Sequence, residues 1–453
     1  MKKADDSTQT ESGSKLRPVL SLWDLVFYGV VLIQPIAAVP VFGIADKLSR
    51  GHVVTTILIA MVAMMVTAVS YGRMATVYPR AGSAYTYVSQ ALHPGLGFLA
   101  GWAMMLDYFV IPIINIIYGS LTLARILPSI SYAVWVVALT ALITCFNLLG
   151  VRSTARANSA LLFTMCLVVA GFMILAVRYL LSPHSPAALF SLAPFYTHGT
   201  TDLHSILTAT SLSALTYIGF DGVTTLSEEA KNPKKNVLRA TVLVCLITGV
   251  FSGVQVYLAQ RVWPDYGSFP DLETAFMDVS RRVGGAGMFH AMAVTLILAS
   301  IGSGLSGQAG AARLLYGMGR DQVLPRSFFG YLGRKRLVPT RNVWLIGLFT
   351  LVGGLVLDFE RAAELLNFGA FLAFMAVNLA AIRYFYFGPV RETRRLARDL
   401  LLPASGFLFC LFIWWGLPAP AKIVGSLWFG VGVIYLALLT RGFRRTPGEI
   451  RFE

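Results

Sequence analysis

The sequence predicts an all-α polytopic membrane protein, and three observations support this fold class. The 453-residue chain is 56% hydrophobic and only 13% charged, whereas soluble proteins carry about 25% charged residues. Its mean hydropathy is +0.68. Apolar runs of about 20 residues, the length of a helix that spans a bilayer, follow one another from Leu22 onwards. We expect about twelve transmembrane helices, near residues 22–48, 53–78, 95–124, 131–150, 157–181, 204–228, 238–262, 287–312, 342–358, 361–383, 400–418 and 421–440.

The basic residues are concentrated on one side of this predicted arrangement. Of the 37 lysines and arginines, 28 fall in the two tails and in the loops on the same side as the tails. Loops rich in lysine and arginine face the cytosol, so we expect both termini there. The net charge of +15 then reflects topology and contact with anionic lipid headgroups, and we expect no nucleic-acid partner.

The first predicted helix is interrupted at Gln34-Pro35-Ile36-Ala37-Ala38-Val39-Pro40. Each proline removes an N–H donor and obstructs the preceding turn. The interruption is either a simple proline kink, which is common in membrane helices, or part of a binding site.

The sixth predicted helix is interrupted at Gly219-Phe220-Asp221-Gly222. A carboxylate in the middle of a membrane helix costs a few kcal/mol and usually marks a pathway or a site. Broken backbone is tolerated at membrane depth only where it is buried in protein or lines a cavity. Two broken helices at matching places in two halves point to the binding site of a secondary transporter. Tyr217 and Asp221 are four residues apart, so we expect them on one face.

The third predicted helix carries a second acidic residue, Asp107. It either hydrogen-bonds a neighbouring helix or carries a proton or contacts a cation. Tyr108 and Asn115 are seven residues apart and share a different face from Asp107.

The eighth predicted helix has Gly302, Gly304 and Gly307 in a G-x-G-x-x-G pattern. This pattern binds dinucleotides only after a strand, which is absent here. Small residues allow close helix packing, and Ser303 and Ser306 are also placed to contact a ligand. At the end of the sixth helix, Glu228 and Glu229 either pair with the basic loop around Lys231 or act as a gate.

The sequence contains no recognisable catalytic centre. The six histidines form no H-E-x-x-H pair, and neither a nucleophile elbow nor a Walker A loop is present. The four cysteines fall in apolar runs, where we expect small buried side chains without disulfides. We therefore expect a protein that is not an enzyme, with no metal, no cofactor and no catalytic residue.

Several stretches together resemble the amino acid–polyamine–organocation (APC) transporter superfamily, and most closely its bacterial putrescine importers. They are Ser70-Tyr71-Gly72, Ala81-Gly82-Ser83-Ala84-Tyr85-Thr86-Tyr87, Gly101-Trp102, Leu106-Asp107-Tyr108, Gly219-Phe220-Asp221, Thr224-Thr225-Leu226-Ser227-Glu228-Glu229, Met318-Gly319-Arg320-Asp321 and Asn367-Phe368-Gly369-Ala370. The resemblance implies a bacterial inner-membrane permease with a fold like the leucine transporter, which consists of two inverted five-helix repeats and two peripheral helices. It also implies a midplane site between helices 1 and 6, lined by helices 3, 8 and 10.

This resemblance divides the chain into six parts. They are a cytosolic tail (1–20), a first repeat (21–181), an outer loop (182–203), a second repeat (204–385), two further helices (386–441) and a cytosolic C-terminal tail (442–453).

The sequence departs from the family pattern at three places. The glycine-rich break that binds a substrate carboxylate in amino-acid members is replaced by Gln34–Ala38. The aspartate of putrescine importers near the end of that break is replaced in the segment Val39–Val41. The helix-5 lysine of some proton-coupled relatives is replaced by Met165.

We therefore predict an importer of a small amine, such as putrescine or a related polyamine, that works by alternating access and proton symport. The alternative is an importer or exchanger of amino acids or their derivatives. Asp221 is the predicted ammonium contact, and Asp107 is the predicted ion-coupling residue. Proton coupling is favoured, while sodium coupling and exchange stay open, and no oligomeric state is predicted. The predicted substrate-binding residues are Gln34, Pro35, Ala38, Tyr108, Tyr217, Gly219, Phe220, Asp221 and Ser303.

Overall fold

A computed structural model describes residues 19–79, 83–150, 155–183, 187–199, 201–227, 229–320, 324–333, 338–388 and 394–444, without the side chains of 155–158. This part of the chain is helical. The helices are α1 (Leu22–Ile33), α2 (Ala38–Leu48), α3 (Val53–Val77), α4 (Ser83–Ala91), α5 (Pro94–Ile126), α6 (Tyr132–Leu148), α7 (Ala155–Leu180), α8 (Leu203–Ser213), α9 (Pro233–Val262), α10 (Ala275–Arg320), α11 (Arg326–Phe329), α12 (Thr340–Val356), α13 (Phe359–Phe385), α14 (Leu402–Trp415) and α15 (Ala419–Leu439).

Each of the twelve predicted spans coincides with apolar helical structure in the described residues. By length and composition, nine helical segments there can cross a membrane, or ten when α1 and α2 count as one bent span. Helices α6 and α12 are shorter apolar helices. The largest differences from prediction lie at the eighth span, because α10 begins at Ala275 and contains non-helical backbone at Gly284 and Gly285.

The predicted break in the first span is confirmed. Helices α1 and α2 meet at 58°, and Gln34 between them has φ 70°. Pro35 lies in the break, whereas Pro40 lies in the first turn of α2, where a missing N–H removes no intrahelical hydrogen bond. The break is therefore shorter than the sequence predicts.

The predicted break in the sixth span is also confirmed, and it is longer than expected. Helix α8 ends at Ser213, and two 3₁₀ segments follow, at Ala214–Tyr217 and Phe220–Leu226. Ile218 between them is extended, and Gly219 has φ 115°, a conformation that glycine adopts without steric cost. Because the break separates Tyr217 from Asp221, the expectation that they share one helical face is wrong.

Helix α10 packs closely on α6 and α5 through glycine, as the pattern in the eighth span predicts. A Cβ atom at Gly304 would lie 2.7 Å from Ile143 Cδ1, and one at Gly307 would lie 2.5 Å from Ile111 Cγ2. The close-packing interpretation of these glycines is confirmed, since no methyl group fits without movement of the neighbouring side chains.

We expect Gly307→Ala to lower the free energy of unfolding by about 1–3 kcal/mol, the usual cost of overpacking a close contact. Gly317→Ala, on the same helix, is the matched control, because nothing lies within 4 Å of its Cβ position. The free energies of unfolding of the two variants and of the parent are measured in mixed detergent micelles. Equal stability of the two variants would contradict the close contact at Gly307.

The two breaks divide the bundle into two sides. The side on which α1 begins is the predicted cytosolic side, and the opposite side is the predicted outer side. On the predicted cytosolic side, a buried ion pair between Arg73 and Asp399 joins α3 to the segment before α14. The amides of Val19 and Leu20 donate to the carbonyl of Glu229 at 2.9 Å, which joins the start of α1 to the end of the sixth span.

On the predicted outer side, α2 packs against the segment that follows α9. The ring of Phe42 packs edge-on against Phe269 and Phe276, at centroid distances of 5.7 and 5.5 Å. A Cβ atom at Gly43 would overlap the carbonyl oxygen of Leu272. Helix α2 therefore lies directly on the segment that connects α9 to α10.

Candidate functional site

The breaks in the first and sixth spans lie against each other. The Cβ position of Gly219 is 3.5 Å from Ile33 Cγ1 and 3.7 Å from the carbonyl carbon of Leu32. The Cβ position of Gly222 is 2.6 Å from Leu32 Cδ1. The last turn of α1 is thus in contact with both glycines that flank Asp221.

The Asp221 carboxyl is buried at this junction, with the residue 8% exposed. It lies near the amides of Asp221 and Gly222 and near the hydroxyl of Ser83. No lysine, arginine or histidine of the described residues forms an ion pair with it. Because a buried carboxylate is costly without a cation or hydrogen-bond donors, this arrangement suits a cationic ligand or a proton.

Asp107 belongs to the same pocket. The residue is 5% exposed, and its carboxyl is close enough to interact electrostatically with that of Asp221. Its Oδ1 atom is buried and makes no hydrogen bond with a described residue. The structural alternative, a hydrogen bond with a neighbouring helix, is therefore not seen at Oδ1 in the described part of the chain, and for Oδ2 it stays open.

Three further hydroxyl groups surround these acids, and we did not predict them as site residues. They belong to Tyr71, Tyr87 and Ser83, and they are buried without a hydrogen bond to a described residue. The ring of Tyr71 contacts the ring of Phe220 at 5.4 Å and that of Phe374 at 5.7 Å. The only signal for them in the sequence is that Tyr71, Ser83 and Tyr87 lie in stretches that carry the family resemblance.

Two predicted substrate residues, Tyr108 in α5 and Ser303 in α10, are at least partly exposed. The Tyr108 side chain is 36% exposed, and its ring lies 3.6 Å from the Cβ position of Gly310. Ser303 is partly exposed, and its Oγ accepts a hydrogen bond from Asn115 Nδ2 at 3.0 Å. These side chains offer an aromatic face and a hydroxyl group.

The predicted residues of the first break are held by neighbouring helices. Gln34 Nε2 donates to the carbonyl of Ala299 in α10 at 3.4 Å. The carbonyl of Pro35 accepts from Gln255 Nε2 in α9 at 2.8 Å. Ala38 is fully buried. The break is therefore positioned by α9 and α10.

Tyr217 and Phe220 do not face open space in this state. Both residues are 0% exposed, and the Tyr217 hydroxyl donates to the carbonyl of Ile57 at 2.8 Å. Their role as substrate contacts stays a prediction, and of the three predicted aromatic residues Tyr108 is the exposed one.

The predicted gating glutamates are only partly within the described residues. Glu228 lies outside them. The Glu229 carboxylate forms no ion pair with a described residue of the basic loop, but the backbone around it is paired with the start of α1, since Lys231 also donates to the carbonyl of Leu20 at 2.7 Å. This contact couples the two broken spans at the predicted cytosolic side.

Other groups at or near the site are apolar. Met165, at the position of the family lysine, is 2% exposed and lies in the main apolar core. Within the described ranges, no group of three or more histidine, cysteine or acidic side chains is placed to hold a metal ion.

Of the cysteines, Cys245 and Cys410 are buried as expected, but Cys145 is exposed, because apolar residues of a membrane helix also face lipid.

Comparison with known proteins gives one consistent family. Residues 36–430 match the amino acid permease family. The low-affinity putrescine importer PlaP of Escherichia coli (strain K12) is 34% identical over 442 residues, which cover 96% of this chain and 97% of that importer. The branched-chain amino acid permease BcaP of Lactococcus lactis subsp. cremoris is 28% identical over 490 residues, which cover 96% of this chain and 98% of that permease.

A solved structure shows the same fold. The manganese transporter of Eremococcus coleocola, solved with an aromatic bis-isothiourea compound, matches with a TM-score of 0.58 and 14% sequence identity, covering 96% of this chain and 99% of that one. The predicted fold class, an all-α polytopic membrane protein with the leucine-transporter-like arrangement, is confirmed.

Proposed function

The chain belongs to the amino acid permease family of the APC superfamily, and from that premise we propose that it imports a small amine, such as putrescine, by alternating access and proton symport. It acts in a bacterial inner membrane with both termini in the cytosol. Its family and relatives are transporters rather than enzymes.

One observation carries the substrate class: a buried carboxyl at the junction of two broken helices, without a cationic partner among the described residues. An ammonium group is small and carries three N–H donors. It supplies the positive charge that Asp221 lacks among the described residues, and its N–H groups can donate to the same carboxyl. The putrescine importer among the relatives has a substrate of this chemistry.

The backbone of the first break supports an amine over an amino acid. The amides of Ala37 and Val39 donate to the carbonyls of Gln34 and Ile36, at 3.1 and 2.9 Å. These two amides are therefore not free to bind a substrate carboxylate. The alternative, an importer or exchanger of amino acids or their derivatives, is favoured by the branched-chain amino acid permease among the relatives.

Matched ligand pairs test the proposal, because each pair differs by one carboxylate. Putrescine against ornithine, and 3-methylbutylamine against leucine, are compared by thermal shift and by competition for uptake of labelled putrescine into proteoliposomes. We expect the amine of each pair to stabilise the protein and to compete, and the amino acid to do neither. Stabilisation by leucine or ornithine alone would instead establish the alternative.

A further inference from the structure

A third buried acid, Asp46, lies far along α2 from the Asp107–Asp221 pocket, near the predicted outer end of the first span. The residue is 0% exposed. Neither of its carboxyl oxygens makes a hydrogen bond with a described residue. The backbone amide of Val53, in the first turn of α3, lies close to it.

The helix that carries Asp46 is the one that packs against the segment after α9 on the predicted outer side. Phe42 and Gly43, one turn earlier, pack on the segment between α9 and α10. Asp46 is followed by the Ser49–Gly51 turn, in which Gly51 has φ 85° and its carbonyl accepts a hydrogen bond from Gln260 Nε2 in α9. Asp46 is thus enclosed by α2 and the elements against which α2 closes.

Other charged or titratable groups at this end do not compensate Asp46. Lys47 and Arg50 are exposed. Those on the packed elements have partners of their own: His52 with Ser49 O and Thr201 Oγ1, Arg261 with Ala188 O, Asp278 with Arg125, Arg281 with the Phe289 ring, Arg282 with the Trp263 ring, Tyr217 with Ile57 O, and Asp202 with Ser205. None of them forms an ion pair with Asp46 in the described part of the chain.

Three other acids near this closure could respond to pH. Glu273 lies in the segment between α9 and α10, where burial raises its pKa, although its carboxylate also accepts a hydrogen bond from the Phe359 amide at 3.1 Å. Glu360, in the first turn of α13, interacts electrostatically with Lys47, and Glu364, one turn later, is buried. Any test of Asp46 must therefore include all three glutamates.

We propose that Asp46 is a proton-binding site that links closure of the outer side to the external pH. An ionised carboxylate enclosed without a cation, and with only the Val53 amide close to it, costs several kcal/mol. In the closed state Asp46 therefore carries a proton. When α2 moves away from the segment between α9 and α10, water reaches the carboxyl and the proton is released to the outside.

The direction of the pH effect follows from this linkage. Because the closed state binds one more proton than the open state, lowering the external pH favours closure and raising it favours opening. One linked proton changes the closed-to-open ratio by at most about tenfold per pH unit. The proton returns to the side from which it came, so this site is separate from the transported proton assigned to Asp107 and does not depend on the substrate.

Distance measurements between spin labels test the proposal without a substrate. The labels are placed at Arg50→Cys on the outer end of α2 and Val356→Cys on the outer end of α12, both exposed, in the full chain with its four native cysteines replaced. The ratio of short to long distances is recorded from pH 5 to pH 8 in the parent, in Asp46→Asn, and in Glu273→Gln, Glu360→Gln and Glu364→Gln made singly. We expect the ratio to fall with pH in the parent and in the three glutamate variants, and to stay high and flat in Asp46→Asn.

Several results would overturn the proposal. They are a pH-independent parent, an unchanged slope in Asp46→Asn, and a slope that disappears in one of the three glutamate variants instead. Asp46→Ala is the second variant if Asp46→Asn does not fold. Failure of both to fold would show that Asp46 serves as a fixed anion at the N-terminus of α3, which also contradicts the proposal.

Discussion

Asp221→Asn is expected to reduce kcat/KM for putrescine uptake by about a hundredfold or more. Asparagine has nearly the same size as aspartate, but it carries no charge and one of its two terminal groups is a donor. Removing one partner of a buried charge pair costs about 3–5 kcal/mol, and every 1.4 kcal/mol is a factor of ten. The measurement is initial uptake of labelled putrescine into proteoliposomes, combined with direct binding to the purified protein.

Two control variants make this result specific. Asp265→Asn removes an exposed acid in the segment between α9 and α10 and should leave uptake unchanged. Asp221→Glu keeps the charge but displaces it by one methylene, so it should retain weak binding of putrescine. Uptake by Asp221→Asn at the parent rate would show that the ammonium group binds elsewhere, and Tyr108 with Ser303 would then be the next residues to test.

The sequence was sufficient to locate both helix breaks, because proline and glycine act on the backbone locally. It also located both pocket acids, because a charged side chain is conspicuous in an apolar run. The residues that complete the pocket were not accessible in this way. Tyr71 and Tyr87 resemble ordinary buried aromatic residues, and only the packing of α3 and α4 against Phe220 and Asp107 brings their hydroxyls to the carboxyls.

The extent of the second break was likewise beyond the sequence. Residues Ala214–Tyr217 have no glycine or proline, and their 3₁₀ conformation follows from tertiary contacts such as the Tyr217 hydroxyl bond to Ile57 O. The sequence analysis did not single out Asp46, for a different reason. In a sequence, an acid near the end of a span resembles an ordinary charge at the membrane interface. Only the structure shows that Asp46 is completely buried.

Asp107→Asn is expected to abolish uptake that is driven by a pH gradient while leaving exchange of putrescine across the membrane intact. The carboxyl of Asp107 is buried beside Asp221 without a hydrogen bond to Oδ1 from a described residue, so it can bind and release a proton as water access changes during the cycle. Asparagine cannot bind a proton at neutral pH, but it fills the same space and keeps the pocket polar. Substrate binding and exchange should therefore persist, within about a fewfold of the parent, since the ammonium contact belongs to Asp221.

Two uptake assays on the same purified protein separate proton-driven accumulation of putrescine from exchange. Proteoliposomes with an acidic exterior report accumulation of labelled putrescine above equilibrium, and proteoliposomes preloaded with unlabelled putrescine at equal pH report exchange. Loss of accumulation with retained exchange assigns proton coupling to Asp107. If Asp107→Asn still accumulates putrescine against its gradient when the exterior is acidic, then coupling does not pass through this carboxyl. If exchange is lost as well, Asp107 is instead part of the ammonium contact, and the two carboxyls act as one binding group for the amine.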